Sequence, residues 1–255
     1  MVGVFRFLIV IKETTRKMKT ISTFTLCILM FVITSQGQEE YPLGRFSKIV
    51  ASPHINVFLK KGEKESIKLV YSNVAPEKMN VVLHGNRLSL FLDDARIIEK
   101  NRYTNRLYND ATVTAYVTYV ELTAVEMRGE EELYSEDTIR AKKFKLRAYG
   151  ESEIRLAGVD AKKFKTSLYG ENILKIKGGF ATHQVYRLFG ENKIDTRGMR
   201  STSASARIYG EGRITLNAAK QVVINAFGEP QINIEGNAYV AKGIVIGRVD
   251  INHKL

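Results

Sequence analysis

The sequence predicts an all-β protein, a β-solenoid built from two-strand repeats of about 20 residues that are centred on glycine. Three observations support this prediction. A Gly-Glu pair returns at a nearly fixed interval, an aliphatic residue stands four positions after each glycine, and apolar residues alternate with polar ones on both sides. Alternation with a period of two is typical of short strands that bury one face.

Seven glycines mark the repeat, and glutamate follows the first six. They are Gly129, Gly150, Gly170, Gly190, Gly210, Gly228 and Gly247. Glycine allows the positive φ or the close backbone approach of a tight turn, so each is predicted to connect two strands. A unit this short cannot bury its apolar face alone, whereas stacked units can. The sequence therefore predicts a pile of similar turns.

Two parts of the solenoid are predicted, an irregular β part over residues 38–122 and the regular Gly-Glu repeats over residues 123–255. In the first part, "INVFLKKGEKESIKLVYS" (55–72) predicts a hairpin-like pair of strands around Gly62. "NVVLHGNRLSLFL" (80–92) predicts a second pair around Gly85. The polar segment 93–110 predicts a protruding loop.

Residues 1–37 predict a signal peptide. A basic stretch at Met18-Lys19 precedes a largely apolar run of 13 residues (21–33), and small residues up to Gly37 follow. The run is short for a membrane span, although an uncleaved anchor stays as the alternative. Met18 is an alternative start that would leave residues 1–17 untranslated. Cys27, the only cysteine, lies in the run, so the exported chain is expected to hold no thiol or disulfide.

The charge of the chain favours anionic partners. Residues 1–37 hold five basic and one acidic side chain, so the remainder carries 34 basic and 26 acidic residues, a formal net charge of +8. In an exported protein this favours an anionic glycan, lipopolysaccharide or a matrix component. No nucleic-acid motif is present, and membrane contact is expected only through the signal segment. Oligomerisation stays open, as does the choice between periplasm, outer-membrane surface and secretion.

The sequence contains no motif for catalysis or for a cofactor. The four histidines occupy unrelated positions, and nucleotide-binding and nucleophile-elbow fingerprints are absent. We therefore expect no enzyme activity, no cofactor and no dedicated metal site. A polysaccharide-active β-helix enzyme is the minor alternative, because such enzymes need Asp, Lys or Arg clustered in a cleft and the sequence marks no such cluster.

Two columns of side chains are predicted from the repeat. The first, here called the aromatic strip, contains five rings before the glycines and three arginines with the same outward parity: Tyr149, Tyr169, Phe189, Tyr209, Phe227, Arg147, Arg187 and Arg207. Such rings either form a recognition surface for a glycan or only hold the register of the stack. The second, the Glu row, is Glu130, Glu151, Glu171, Glu191, Glu211 and Glu229. Solvation, pairing with neighbours such as Lys193 and Arg213, and Ca²⁺ binding are the alternatives for this row.

The order of elements over residues 44–255 resembles the head-GIN-domain family of auto-transporter adhesins. The resemblance rests on "FSKI" (46–49), "INVFL" before Gly62, and "VTAYVTYVELTAVEMRGEEEL" (113–133) before the serial glycines. It implies a right-handed parallel β-helix, export and an adhesin-like recognition of glycan or matrix, with no catalytic residues. A purely structural envelope protein is the alternative. The sequence departs from the family's usual Gly-Ala-Ser or Gly-Ser-Gly turn, because glutamate follows the glycine here.

Overall fold

A computed structural model describes residues 40–95, 108 and 110–254. The predicted signal peptide (1–37) and most of the predicted loop (96–107 and 109) lie outside these residues. The N-terminal strands are β1 (Glu40–Pro42), β2 (Lys48–Ala51), β3 (Ile55–Lys61), β4 (Ser66–Ser72), β5 (Met79–His84), β6 (Arg87–Leu92), β7 (Thr112–Tyr119) and β8 (Ala124–Gly129). A short 3₁₀ helix, Pro76–Lys78, precedes β5.

The strands of the repeats complete the secondary structure. They are β9 (Glu132–Gly150), β10 (Glu153–Gly170), β11 (Ile173–Ile176), β12 (Gly179–Phe189), β13 (Lys193–Thr196), β14 (Arg200–Tyr209), β15 (Arg213–Asn217), β16 (Gln221–Phe227), β17 (Gln231–Glu235), β18 (Tyr239–Ile246) and β19 (Asp250–Lys254). The predicted fold class is confirmed, because these strands form a β-solenoid of stacked parallel rungs.

The solenoid has two strand ladders, which the turn glycines separate. The pre-glycine sheet runs β5–β6–β2–β8, then the second half of β9 and of β10, then β12–β14–β16–β18. The post-glycine sheet runs β1–β4–β7–β3, then the first half of β9 and of β10, then β11–β13–β15–β17–β19. β9 and β10 therefore contribute to both sheets.

All seven repeat glycines have positive φ, from 94° at Gly190 to 129° at Gly228. Each of the last six also stacks on the glycine of the rung before it. A Cβ added to Gly190 would lie 2.5 Å from the carbonyl oxygen of Gly170, and one added to Gly210 would lie 2.7 Å from that of Gly190. The turns thus need glycine for two reasons, a backbone conformation that other residues rarely adopt and contact with the neighbouring backbone.

The interior of the solenoid is filled by the inward-facing side chains of both sheets. The aliphatic residues four positions after the first six glycines are all buried: Leu133, Ile154, Leu174, Ile194, Ile214 and Ile232. From the opposite sheet, Phe144 and Phe164 stack with ring centroids 6.1 Å apart. Within the described ranges, no helix is long and apolar enough to cross a membrane.

The strands around Gly62 differ from the prediction. β3 and β4 are consecutive but do not pair with each other, because β7 lies between them, parallel to β3 and antiparallel to β4. The hairpin-like pair predicted over residues 55–72 is therefore wrong. Around Gly85, by contrast, β5 and β6 do pair as an antiparallel hairpin, and this glycine has a φ of 59°.

Candidate functional site

The five rings of the aromatic strip form one continuous stack on the outer face of the pre-glycine sheet. Successive ring centroids lie 4.9 Å apart for Tyr149 and Tyr169 and 4.8 Å apart for the three following pairs, with interplanar angles of 4–6°. The spacing equals the separation of hydrogen-bonded strands, because the rings occupy equivalent positions on parallel rungs in register.

Only the edges of most of these rings face solvent. Tyr149, at the N-terminal end of the stack, is 38% exposed, and the other four are half-buried. Burial raises the pKa of Tyr149, and Glu126 adds to this shift, so the phenol stays protonated at neutral pH. The faces of the interior rings are covered by their neighbours, which leaves a flat row of ring edges and hydroxyl groups.

The arginines of the strip lie one column away from the rings. Arg147, Ser167, Arg187, Arg207 and Asn225 are successive partners across the parallel rungs. Arg147 is tied to Glu126, with its Nη1 atom 3.5 Å from Oε2. Arg187 and Arg207 are exposed and have no acidic group within 4 Å among the described residues. Their charges are therefore available to a ligand.

The Glu row lies at the corner between the sheets, and all six carboxylates are exposed. Glu191, Glu211 and Glu229 border a groove of about 610 Å³ on the post-glycine sheet, together with Lys193 and Arg213. Over the described residues, no ion pair within 4 Å joins the row to these cations, and no three acidic, His or Cys side chains are grouped to hold a metal.

This groove has mixed charge, a clustering that the sequence did not mark. Its glutamates are exposed to water. In glycoside hydrolases an apolar environment keeps one of two carboxyl groups protonated, so that it can donate a proton, and these exposed glutamates have no such environment. Asp195, also in the groove, accepts a hydrogen bond of 2.9 Å from Nε of Arg197. The arrangement is that of a solvated, partly paired surface.

A buried polar column behind the Glu row was not predicted. Asn172 and Asn192 are fully buried two positions after their glycines. The backbone N–H and Nδ2 of Asn172 donate to Oδ1 of Asn192 at 3.2 and 3.1 Å, and the backbone N–H of Ser152 donates to Oδ1 of Asn172 at 3.1 Å. The Nδ2 groups also donate to the carbonyls of Tyr169 and Phe189. This ladder fixes the corner next to the aromatic strip.

Comparison with a protein-family model bears directly on identity. Residues 45–238 match the model described as "Putative auto-transporter adhesin, head GIN domain". The match covers most of the chain, including all the repeat glycines except Gly247, and it confirms the resemblance noted from the sequence. No curated protein matches the chain.

Several solved structures share the fold. A putative adhesin from Bacteroides fragilis has a TM-score of 0.70 at 17% identity, covering 85% of this chain and 95% of that chain. A putative adhesin from Parabacteroides merdae has a TM-score of 0.60 at 14% identity, with coverages of 85% and 95%. A putative lipid binding protein from Parabacteroides distasonis has a TM-score of 0.64 at 11% identity, with coverages of 85% and 96%. At these identities the likeness shows the fold alone.

Proposed function

Because the chain belongs to the head-GIN-domain family of putative auto-transporter adhesins, we propose that it is an exported, non-catalytic protein that recognises glycan or matrix at the cell surface or in the envelope. The family description supports an adhesin-like role. The predicted signal peptide supports export.

The observation that carries the proposal is the aromatic strip. Five parallel rings, stacked face to face, present a flat row of ring edges, and the exposed guanidinium groups of Arg187 and Arg207 lie beside this row with no acidic group within 4 Å in the described part of the chain. Guanidinium groups bind carboxylate and sulfate oxygens through two parallel hydrogen bonds. Tyrosine edges add hydroxyl donors and apolar contact area. The surface is therefore suited to an anionic glycan.

A purely structural role in the envelope is the second candidate, and one observation favours it. The interior rings cover each other's faces at 4.8 Å, so most of their apolar area already stabilises the stack. Aromatic pairs contribute about 0.5–1.5 kcal/mol beyond their area burial. A ladder of this kind needs no ligand to account for it.

One experiment separates the two candidates. The Tyr149→Ala/Tyr169→Ala/Tyr209→Ala triple variant and the Arg187→Ala/Arg207→Ala double variant are compared with wild type for melting temperature and for binding to glycan and matrix arrays. A Lys193→Ala/Arg213→Ala variant on the opposite sheet is the matched control for the arginine pair. Recognition by the strip predicts that binding per folded molecule falls in both strip variants, and that salt weakens the binding that remains.

The structural alternative predicts a different result from the same variants. The triple ring variant loses stability, by about 0.5–1.5 kcal/mol per lost ring pair. Binding then follows the folded fraction, and the arginine variant behaves like its control. Unchanged binding per folded molecule in both strip variants would remove the strip from the proposed function.

Export is tested separately on protein from its native host. N-terminal sequencing is expected to find a mature chain that begins at Gln38, within about three residues. Retention of residues 21–33 would contradict the signal peptide and favour the uncleaved anchor.

A further inference from the structure

Six lysines are concentrated on two neighbouring rungs of the pre-glycine sheet. The segment Ala-Lys-Lys-Phe-Lys occurs at 141–145 and again at 161–165. Parallel pairing places Lys143 beside Lys163 and Lys145 beside Lys165. The next two rungs carry His183 and Val185, then Ser203 and Ser205, at the same positions. The lysines therefore form a local block, here called the lysine block, which also contains Lys142 and Lys162.

The lysines of the block form no ion pairs with acidic side chains of the described residues. Within the described residues, none of its six ammonium groups lies within 4 Å of a carboxylate. Like charges at directly paired positions destabilise a sheet, and neighbouring strands are only about 4.8 Å apart. The pKa of Lys165 is lowered, by partial burial first and then by the charges of Arg187, Lys145, Arg147 and Lys143. The block therefore carries a positive potential that weakens the fold.

All lysines of the block except Lys165 line a groove of about 1020 Å³, here called the basic groove. The groove crosses β6, β2, β8, β9 and β10, so it extends about 19 Å along the solenoid at the usual strand spacing. Lys48, Arg87 and Arg128 add their charges from the other strands, and Arg147 adds its charge from β9. Glu126 is the one carboxylate among the described lining residues, and both Arg128 and Arg147 contact it.

We propose that the basic groove binds a linear anionic polysaccharide, whose carboxylate or sulfate groups pair with the lysine block. This inference rests on the proposed function and specifies which kind of anionic glycan would bind and where. A groove that distributes its cations over about 19 Å matches repeated charges along a chain better than one compact headgroup. Each exposed contact is weak, so affinity arises from many contacts made together.

The aromatic residues argue for a saccharide rather than a nucleic acid. Proteins that bind single strands stack the bases on the faces of exposed aromatic side chains. Tyr149 is the only described aromatic residue that lines the basic groove, and one face of it is covered by Tyr169 at 4.9 Å. The groove therefore offers many cations but no series of open ring faces.

The test uses the purified mature chain and titrates it with probes of defined chemistry. The polysaccharides are dextran sulfate and polygalacturonate, with neutral dextran as the uncharged control. Vesicles of phosphatidylglycerol in phosphatidylcholine and a poly-dT oligonucleotide supply the competing chemistries. Lys143→Glu/Lys163→Glu alters the groove, and Lys175→Glu/Lys193→Glu makes the same charge change at exposed sites of the opposite sheet.

Wild type is expected to bind both acidic polysaccharides, more weakly as the salt concentration rises, and not to bind neutral dextran. The groove variant is expected to lose affinity by about 30-fold or more, because two attractions become repulsions. The control variant is expected to stay within about threefold. The melting temperature of the groove variant should stay about level, since the two new carboxylates repel each other as the two ammonium groups did but also lie near Lys145 and Lys165. A misfolded variant would show a clear fall.

Four results would overturn the inference. Equal losses in the groove and control variants would mean that only net charge matters. Binding to the vesicles alone would assign the groove to lipid headgroups, and stronger binding to the oligonucleotide would assign it to nucleic acid. An intact groove variant together with a weakened Arg187→Ala/Arg207→Ala variant would remove the groove while leaving the proposed function in place.

Discussion

The two ends of the solenoid differ in how their outermost strands are covered. At the N-terminal end, antiparallel strands lie over the parallel rungs, with β4 and β1 on one sheet and β5 on the other. Ile67 of β4 and Leu88 of β6 are completely buried there. At the C-terminal end, the described part of the chain supplies no strand beyond β18 and β19. Tyr239, Ile244 and Ile246 are 70%, 61% and 61% exposed.

The difference shows what a parallel stack requires. An interior rung is hydrogen-bonded and packed on both sides, whereas the last rung has one neighbour and an unpaired edge. An antiparallel strand reverses the chain direction and can end the sheet with a short edge, as the three-residue β1 does. Stability is therefore expected to decrease from the middle of the stack towards the C-terminal end.

The largest effect is expected from valine at a turn glycine in the middle of the stack. Gly190 has a φ of 94°, and a side chain there would overlap the Gly170 carbonyl. Backbone strain and overpacking together should lower the free energy of unfolding by roughly 2–6 kcal/mol in Gly190→Val. At the open end, Gly247→Val meets the same overlap with Gly228 but should cost less than about 2 kcal/mol, because the last rung can move away.

Denaturant titration of both glycine variants measures this difference. Glu191→Ala is the surface control in the middle turn, and it should change stability by less than about 0.5 kcal/mol. Equal losses for Gly190→Val and Gly247→Val would show that the terminal rung is as constrained as an interior one. A loss in Glu191→Ala that equals that of Gly190→Val would contradict the role of the glycine.

The repeat could be predicted because its signals are local. Gly190 and the alternating residues beside it specify a turn between two strands without reference to any distant residue. The pairing of β3 with β7 could not be predicted in this way, since alternation identifies a strand but not its partner. The buried Asn172 was missed for a related reason, because a polar residue next to a turn is usually exposed. The basic groove could not be predicted, because it brings Lys48 and Arg87 together with lysines much later in the chain. Only the repeated Ala-Lys-Lys-Phe-Lys segment was visible in the sequence.

The second prediction compares isoleucine truncations at the two ends. Ile67 is buried on the covered end, so Ile67→Ala should lower the free energy of unfolding by about 2–4 kcal/mol through lost apolar contact and a cavity. Ile251 is only partly buried on the last rung, so Ile251→Ala should cost about 1 kcal/mol or less. Thermal and denaturant unfolding of the two variants test this order, which a larger loss for Ile251→Ala would reverse.

A pH-dependent effect is expected where the covered end meets the regular repeats. Glu131 begins the column that continues with Ser152 and Asn172, its Oε1 accepts a hydrogen bond from the His54 backbone, and its buried Oε2 has no hydrogen-bond partner among the described residues. Burial raises the pKa of Glu131. The folded protein therefore binds this proton more tightly than the unfolded chain, and stability falls as pH rises from the ordinary glutamate pKa through the raised one.

Glu131→Gln should remove this contribution. The stability of the variant relative to wild type is expected to increase between about pH 4 and neutral pH, since the wild type alone must ionise a buried carboxyl. Chemical denaturation at a series of pH values measures the difference, with Glu151→Gln as the exposed control from the next turn. A relative stability that is independent of pH would contradict the assignment.

The smallest effect on stability, with a clear effect on association, is expected at the open edge itself. Ile244 and Ile246 project from β18 into solvent, beside backbone groups that no described strand pairs. An exposed apolar edge is a template for pairing with another chain, and lysine on the edge opposes such pairing. Ile244→Lys/Ile246→Lys should change the free energy of unfolding by less than about 0.5 kcal/mol and reduce concentration-dependent association in sedimentation velocity.

Ile173→Lys/Phe180→Lys places the same change at exposed apolar sites on interior rungs and should leave association as it is in wild type. If this control reduces association as much as the edge variant does, exposed apolar area in general is responsible, and the contrast between the two ends does not extend to self-association.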